Sequence, residues 1–244
     1  MHRCLVDTAQ LLSEDLALNK EESRHLKTVL RIKPGDRIEL FDGTGLTRLA
    51  SIDKINKNSI SIRACGTPVK HTGPACAITL FVCISKGRRM DWSVEKAVEL
   101  GASRIIPVIS DRTIVRLSET EGVSKAERWR RVAADAARQC GTAWIPEITP
   151  PIRFNDSLAM FPECAPVFTA ALTKDAMPLR KAMQLYPRTP PTSGWFVGPE
   201  GDFTTQELNQ LRKCESIFVN LGLNVLRSET ATIYGLCVLS SAWL

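Results

Sequence analysis

Two glycine-bearing loops close to the C-terminal end hold the residues best suited to binding a small molecule. The first lies in Trp195-Phe196-Val197-Gly198-Pro199-Glu200-Gly201-Asp202-Phe203-Thr204. The second lies in Val219-Asn220-Leu221-Gly222-Leu223-Asn224-Val225-Leu226-Arg227-Ser228-Glu229-Thr230-Ala231. Each reads as a short apolar strand, a loop and the start of a helix. Glycine has no Cβ, so backbone amides and carbonyls at these loops can approach a ligand closely. Glu200 and Glu229 add carboxylates, and Arg227 adds a cation that could bind a phosphate or an anion developing during reaction. Plain strand-to-helix turns and a surface salt bridge are the alternative readings. Neither loop is a G-x-G-x-x-G fingerprint or a Walker A loop, so a neutral or cationic cofactor is favoured over a phosphate-bearing one.

The helices behind these loops have readable starts. Thr204 and Glu207 form a capping box, and Asp202 either helps at that helix start or faces a ligand. Ser228 is expected to cap the last helix, with Glu229 in its first turn. The positive end of the helix favours negative charge there, which suits an orienting role better than proton acceptance.

Basic residues form two groups. Lys86, Arg88 and Arg89 follow the first strand of the large domain, share the rim of the loops and are candidate RNA contacts. Arg3, Arg24, His25, Lys27 and Arg31 are candidates for a patch that tracks RNA phosphates. Arg128, Arg130 and Arg131 interleave with Trp129, but helical spacing keeps them from sharing one face.

The elements that must position these groups divide at 72/73. Residues 1–72 hold alternating runs at 37–41, 46–52 and 59–63, with turns at Pro34-Gly35-Asp36 and Asp42-Gly43 and a short helix at 23–30. This pattern predicts a small antiparallel barrel. A linker at 69–74 leads to alternating strands (77–84, 104–109, 166–172, 194–197, 216–221) and helices (91–100, 125–139, 205–213, 229–242). That alternation implies a parallel α/β sheet, whose ligands sit beyond the carboxyl ends of its strands.

The chain has 244 residues, 44% hydrophobic, with a net charge of +6 and a pI near 9.0. The short domain carries as much of that charge as the long one, +3 each, so it is the more densely basic. Eight scattered cysteines with no C-x-x-C pair read as free thiols in a reducing compartment, the cytoplasm. The three histidines stand apart from them, which argues against a zinc site. No secretory h-region is expected at the start. The apolar stretch 231–244 is shorter than the roughly 20 residues of a membrane span.

Gly198-Pro199-Glu200-Gly201-x-Phe203-Thr204-x-x-Glu207 and Leu221-Gly222-x-x-Val225-Leu226-Arg227-x-Glu229-Thr230-Ala231 resemble the signature of the SPOUT-class methyltransferases that modify N3 of a uridine in 16S ribosomal RNA. Further landmarks follow in order: Met90-Asp91-Trp92 to Gly101, Ser110-x-Arg112, and Ala136-Ala137-x-Gln139 to Pro146. His25-Leu26-x-x-Val29-Leu30-Arg31 with Gly35-Asp36 resembles the family's PUA-like RNA-binding barrel. The resemblance implies a deep C-terminal trefoil knot, a homodimer, and S-adenosylmethionine held near Leu172, at Gly198 to Gly201 and at Leu221, Gly222, Leu226, Arg227, Glu229 and Thr230. Thr142, Leu223, Asn224 and Asp202 depart from the family, which usually has arginine, proline, arginine and glycine there.

Uracil N3 is a poor nucleophile until its proton leaves. The resemblance therefore casts Arg227 as the group that stabilises the resulting charge, with Glu200 or water as proton acceptor. A methyltransferase of another RNA, transfer RNA or 23S ribosomal RNA, and an RNA-binding protein without turnover are the rival expectations.

Overall fold

A computed structural model describes residues 1–18, 22–23, 26, 32–57 and 59–244. The helix expected at 23–30, and with it Arg24, His25, Lys27 and Arg31, falls largely outside the described residues. The chain divides into two compact units, Met1–Gly73 with Ala134–Ile145, and Pro74–Ala133 with Pro146–Leu244. The segment 134–145 therefore belongs with the shorter unit, which a single boundary at 72/73 does not capture.

The smaller unit contains β1 (His2–Leu5), α1 (Thr8–Leu12), β2 (Asp15–Ala17), β3 (Arg37–Phe41), β4 (Leu46–Ile55) and β5 (Ile60–Lys70). Its sheet runs β1-β3-β4-β5-β2. All neighbours are antiparallel except β1 and β3, so the sheet is mixed. Alternation along β3 buries Ile38 and Leu40 against Cys4, Leu11, Ile52, Ile60 and Ile62. The turn between β3 and β4 is held by the Asp42 carboxylate, which accepts from Thr44 N (2.8 Å), Thr44 Oγ1 (2.7 Å), Thr8 Oγ1 (2.9 Å) and Leu46 N (3.1 Å). Gly45, at φ +99°, lies against the Trp144 ring, where a Cβ would come within 2.3 Å.

The larger unit contains β6 (Ala77–Cys83), α2 (Arg88–Glu99), β7 (Arg104–Ile109), β8 (Glu147–Ile148), β9 (Ile152–Arg153), α3 (Phe154–Leu158), β10 (Val167–Ala170), β11 (Met177–Pro178), α4 (Leu179–Met183), β12 (Thr192–Val197), α5 (Thr205–Lys213), β13 (Ile217–Asn220) and α6 (Ser228–Trp243). The long helix Glu119–Cys140 supplies residues to both units. The sheet order is β11-β13-β10-β12-β6-β7-β8, with β9 also on β7, and every pairing is parallel. Helices cover it, so β6 and β12 are buried along nearly their whole length, as their unbroken apolar runs require. Phe81, Phe154, Phe161, Phe196 and Phe203 pack together on one face. Gly235 of α6 lies over Trp195 of β12, where a Cβ would meet the ring at 2.0 Å.

Parallel order aims the carboxyl ends of β10, β12 and β13 the same way. The chain leaves β12 through residues 198–204 into α5, and leaves β13 through 221–227 into α6. The two loops are thereby brought side by side.

Candidate active site

The three strand ends open into a cavity of about 270 Å³. That is near the lower end of the roughly 300–1,000 Å³ range usual for small-molecule sites. Of the residues expected to hold a cofactor, Leu172, Gly198, Pro199, Glu200, Leu221, Gly222, Leu226 and Arg227 line it. Gly201, Glu229 and Thr230 do not. Ala170, Val197, Val219 and Ala231 supply apolar wall, and Asp202, Asn224 and Ser228 supply polar groups. Asp202 was expected either at the helix start or facing a ligand, and the ends of the expected strands marked Ala170, Val197 and Val219.

Local chemistry explains the first loop. Phe203 anchors it by packing edge-on to Phe196 at 5.1 Å, and a Cβ on Gly198 would lie 3.0 Å from the Phe203 ring. Arg112 holds the loop from outside, its Nη1 donating to the carbonyls of Gly201 (2.8 Å) and Phe203 (3.4 Å). Asp202 stands at φ +58°, in the left-handed region that favours glycine, and its carboxylate accepts from Phe203 N at 2.8 Å. It caps no helix. The cap is Thr204, whose reciprocal bonds with Glu207 complete the expected capping box, and Glu207 also accepts from Asp111 N at 3.0 Å.

The second loop departs from expectation at Ser228. The N-cap of α6 is Arg227 and carries no side-chain capping bond, so Ser228 is the first helical residue. Its hydroxyl instead donates to the Gly198 carbonyl at 3.0 Å. Ser228 stands one position too late to cap the helix, and its O–H is turned to the other loop. Glu229 remains in the first turn, buried, and its Oε2 has no hydrogen-bond partner among the described residues.

Arg89 reaches both loops. Its Nη1 lies 3.3 Å from Glu200 Oε1 and its Nε 3.8 Å from Glu229 Oε1. The guanidinium expected at RNA thus joins the carboxylates of the two loops. Arg227 is exposed at the cavity and has no ion pair among the described residues. Lys86 and Arg88 are exposed on the same rim.

Arg3 is placed otherwise than expected for a phosphate contact. Its side chain is buried, ion-paired with Glu39 at 2.5 Å and laid over the Phe41 ring at 4.4 Å. It also donates to the carbonyls of Ala137 (2.9 Å) and Thr142 (2.6 Å). Its Nε, its Nη1 and one face of the guanidinium are engaged within the smaller unit, so Arg3 is a structural residue there. Arg24, His25 and Arg31 lie outside the described residues.

Among the described residues no His/Cys/Asp/Glu cluster could hold a metal ion, and no helix is long and apolar enough to cross a membrane. Burial pushes the Cys4 thiol up to about 12 and the Cys76 thiol to about 11, so neither is a nucleophile at neutral pH. What remains is a mostly apolar cavity rimmed by Glu200 and Asp202, with Arg227 the one free cation that lines it among the described residues. It suits a ligand that has a flat neutral part and a positive centre.

Comparison with known proteins agrees with this chemistry. The family model described as an RNA methyltransferase domain matches residues 72–240, and that of an RNA methyltransferase PUA domain matches residues 18–65. The ribosomal RNA small subunit methyltransferase E of Mesomycoplasma hyopneumoniae is 30% identical over 238 residues, 96% of each chain. The enzyme of that name from Neisseria gonorrhoeae, solved bound to S-adenosyl methionine, superposes with a TM-score of 0.86 at 29% identity over 100% of this chain and 98% of that one. A protein of Legionella pneumophila, solved in complex with bound SAM, gives a TM-score of 0.89 at 28% identity over 98% and 97%. With a model match over more than half its length and a full-length relative at this identity, the chain belongs to the RNA methyltransferase family, among the ribosomal RNA small subunit methyltransferases E.

Proposed function

We propose that this protein is an S-adenosylmethionine-dependent methyltransferase acting on N3 of a uridine in 16S ribosomal RNA, working as a homodimer in the cytoplasm. The observation that carries the reading is the Ser228–Gly198 bond, which fastens the two glycine loops around one cavity at the ends of β10, β12 and β13. The non-sequential order β13-β10-β12-β6, with that bond, supports a knotted C-terminal arrangement. The five-stranded sheet supports a PUA-like barrel for RNA. Exposed Leu172, Leu223, Val225 and Tyr234 support burial against a second copy.

The chain's residues fit the cofactor: the apolar walls take a flat ring, and Glu200 and Asp202 favour a sulfonium over an anion. When bound, S-adenosylmethionine supplies a methyl group for in-line displacement, which chiefly demands alignment. Arg227 stabilises the negative charge that spreads over the uracil oxygens once N3 loses its proton. Glu200, oriented by Arg89, or a water takes that proton. Asp202, Leu223 and Asn224 alter the loops' usual side chains, while the Gly198, Glu200, Gly222 and Arg227 framework stays intact.

Mass spectrometry of RNA from a deletion strain tests the substrate: loss of N3-methyluridine from 16S ribosomal RNA is expected. A lost mark in transfer RNA or 23S ribosomal RNA would move the enzyme to another substrate. Arg227→Ala should slow single-turnover methylation of small subunits about 100-fold or more, the size usual for one oxyanion-stabilising donor. An unchanged rate removes Arg227 from that role.

A further inference from the structure

A second cavity of about 410 Å³ lies in the larger unit and shares no lining residue with the first. Arg88, Lys125 and Arg128 line it, against a single carboxylate, Asp91, which forms an ion pair with Arg128. Arg88 has no acidic partner among the described residues. Lys125 forms no ion pair among the described residues; it is one of the groups that hold the Glu121 carboxylate, one helical turn earlier, below its usual range. Two cations are therefore in excess, which excludes a cationic ligand and favours an anion.

Ser85 supplies an independent sign. It is 5% exposed, lines this cavity, and its hydroxyl has no hydrogen-bond partner among the described residues. The residue is buried but its oxygen is not sealed in the core: it opens to the cavity, where an anionic oxygen can accept from the hydroxyl. Gly87, at φ +69°, turns the chain so that the twelve-residue α2 begins at the same place without a side-chain cap. Its first amides are free for an acceptor. Met90 and Trp129 give the cavity an apolar wall.

We propose that this cavity seats a phosphate group of the RNA strand whose uridine enters the first cavity, an assignment that rests on the RNA methyltransferase reading. Consecutive residues link the two sites: Arg88 lines the second cavity, and Arg89 pairs with Glu200 at the first. A phosphate bound by Ser85, Arg88 and Lys125 fixes the register of the strand relative to the methyl donor. It carries no sequence information itself.

The test uses the full chain with Arg88→Ala and Lys125→Ala combined, and separately Ser85→Ala. Neither cation is buried, and calorimetry with S-adenosylmethionine confirms an intact fold and first cavity. On small-subunit RNA the double variant should raise KM about 10-fold, with kcat changed less than about 2-fold and cofactor affinity unchanged. The slope of log affinity against log salt should become shallower by about 1, the mark of one lost phosphate contact. Ser85→Ala should raise KM by a smaller factor, again without moving kcat. Inorganic phosphate should compete with RNA in the wild type and lose that ability in the double variant. An unchanged KM and salt slope in the double variant overturns the proposal, as does phosphate that binds there without displacing RNA. A wild-type chain that binds the cofactor but methylates no RNA overturns the proposed function itself, and is told apart because it appears before any substitution.

Discussion

The Ser228 hydroxyl donates to the Gly198 carbonyl at 3.0 Å, tying the first residue of α6 to the first residue past β12, thirty positions earlier. Both residues line the cavity, so the bond sets the distance between its two walls. Ser228→Ala removes the donor and leaves the carbonyl without this buried partner, a cost of about 1–2 kcal/mol. Cofactor affinity measured by calorimetry should fall about 5- to 30-fold. The thermal midpoint should drop by only a few degrees, because the strands and α6 keep their packing. A Ser228→Ala protein with full affinity would show that the loops hold their spacing by other means.

Asp202 occupies a left-handed backbone position at φ +58°, a region that favours glycine. Its compensation is local, the bond from Phe203 N to its own carboxylate at 2.8 Å. Asp202→Gly should leave stability unchanged or raise it by up to about 1 kcal/mol, since glycine meets no Cβ penalty there. Asp202→Val should lose about 1–2 kcal/mol, because a branched Cβ is excluded from that region. Urea unfolding of the three proteins should rank them Gly, Asp, Val. A valine variant as stable as the wild type would contradict the backbone argument.

The parts of this fold that repeat were readable before any coordinates. Residues 37–41 and 77–84 announce themselves by alternation and by an unbroken apolar run, and both became strands. The two loops were readable because two glycine-bearing loops at strand ends of one parallel sheet line the same rim, which a lone strand-to-helix turn would not suggest. Several of the shortest elements were not readable: β8, β9, β11, α3 and α4, of two to five residues each, lack the apolar run or alternation that marked β3, β10 and β13. The role of Ser228 was hidden because a serine at a helix start reads equally well as a cap, and its partner is far away in sequence. Arg3 is the extreme case. As a lone cation near the chain start it looks solvated, yet the carbonyls that claim it belong to Ala137 and Thr142.

Arg3 therefore supports a prediction about stability. With its guanidinium buried between Glu39, Phe41 and two carbonyls, Arg3→Ala takes this partner from the half-buried Glu39 carboxylate and the Thr142 carbonyl, while the Ala137 carbonyl keeps the Gly141 amide. Breaking a buried pair on one side costs about 3–5 kcal/mol. Arg3→Lys should recover only part of this, because an ammonium cannot reproduce the flat, multi-donor fork or its stacking. Thermal unfolding should show the loss directly. RNA affinity of the fraction that remains folded should be near that of the wild type. Selective loss of RNA binding at an unchanged midpoint would return Arg3 to the RNA-contacting residues.

The carboxylate of Asp42 gives the smaller unit a defined pH response. Partial burial alone pushes its pKa up, but the donors from Thr44, Thr8 and Leu46 together outweigh burial and hold it below the usual carboxylate value. A group whose folded pKa is depressed contributes stability above its unfolded pKa, about 3.9, and that contribution is lost as pH falls through the folded value. The urea midpoint of Asp42→Ala should therefore lie furthest below that of the wild type at pH 6–7 and draw closer to it as pH drops below about 4. The lowered carboxylates of Glu121 and Asp175 are common to both proteins and cancel from the difference. A gap of constant size from pH 7 to pH 3 would mean that the charge of Asp42 contributes nothing, and that the turn is held by hydrogen bonds a neutral side chain could make as well.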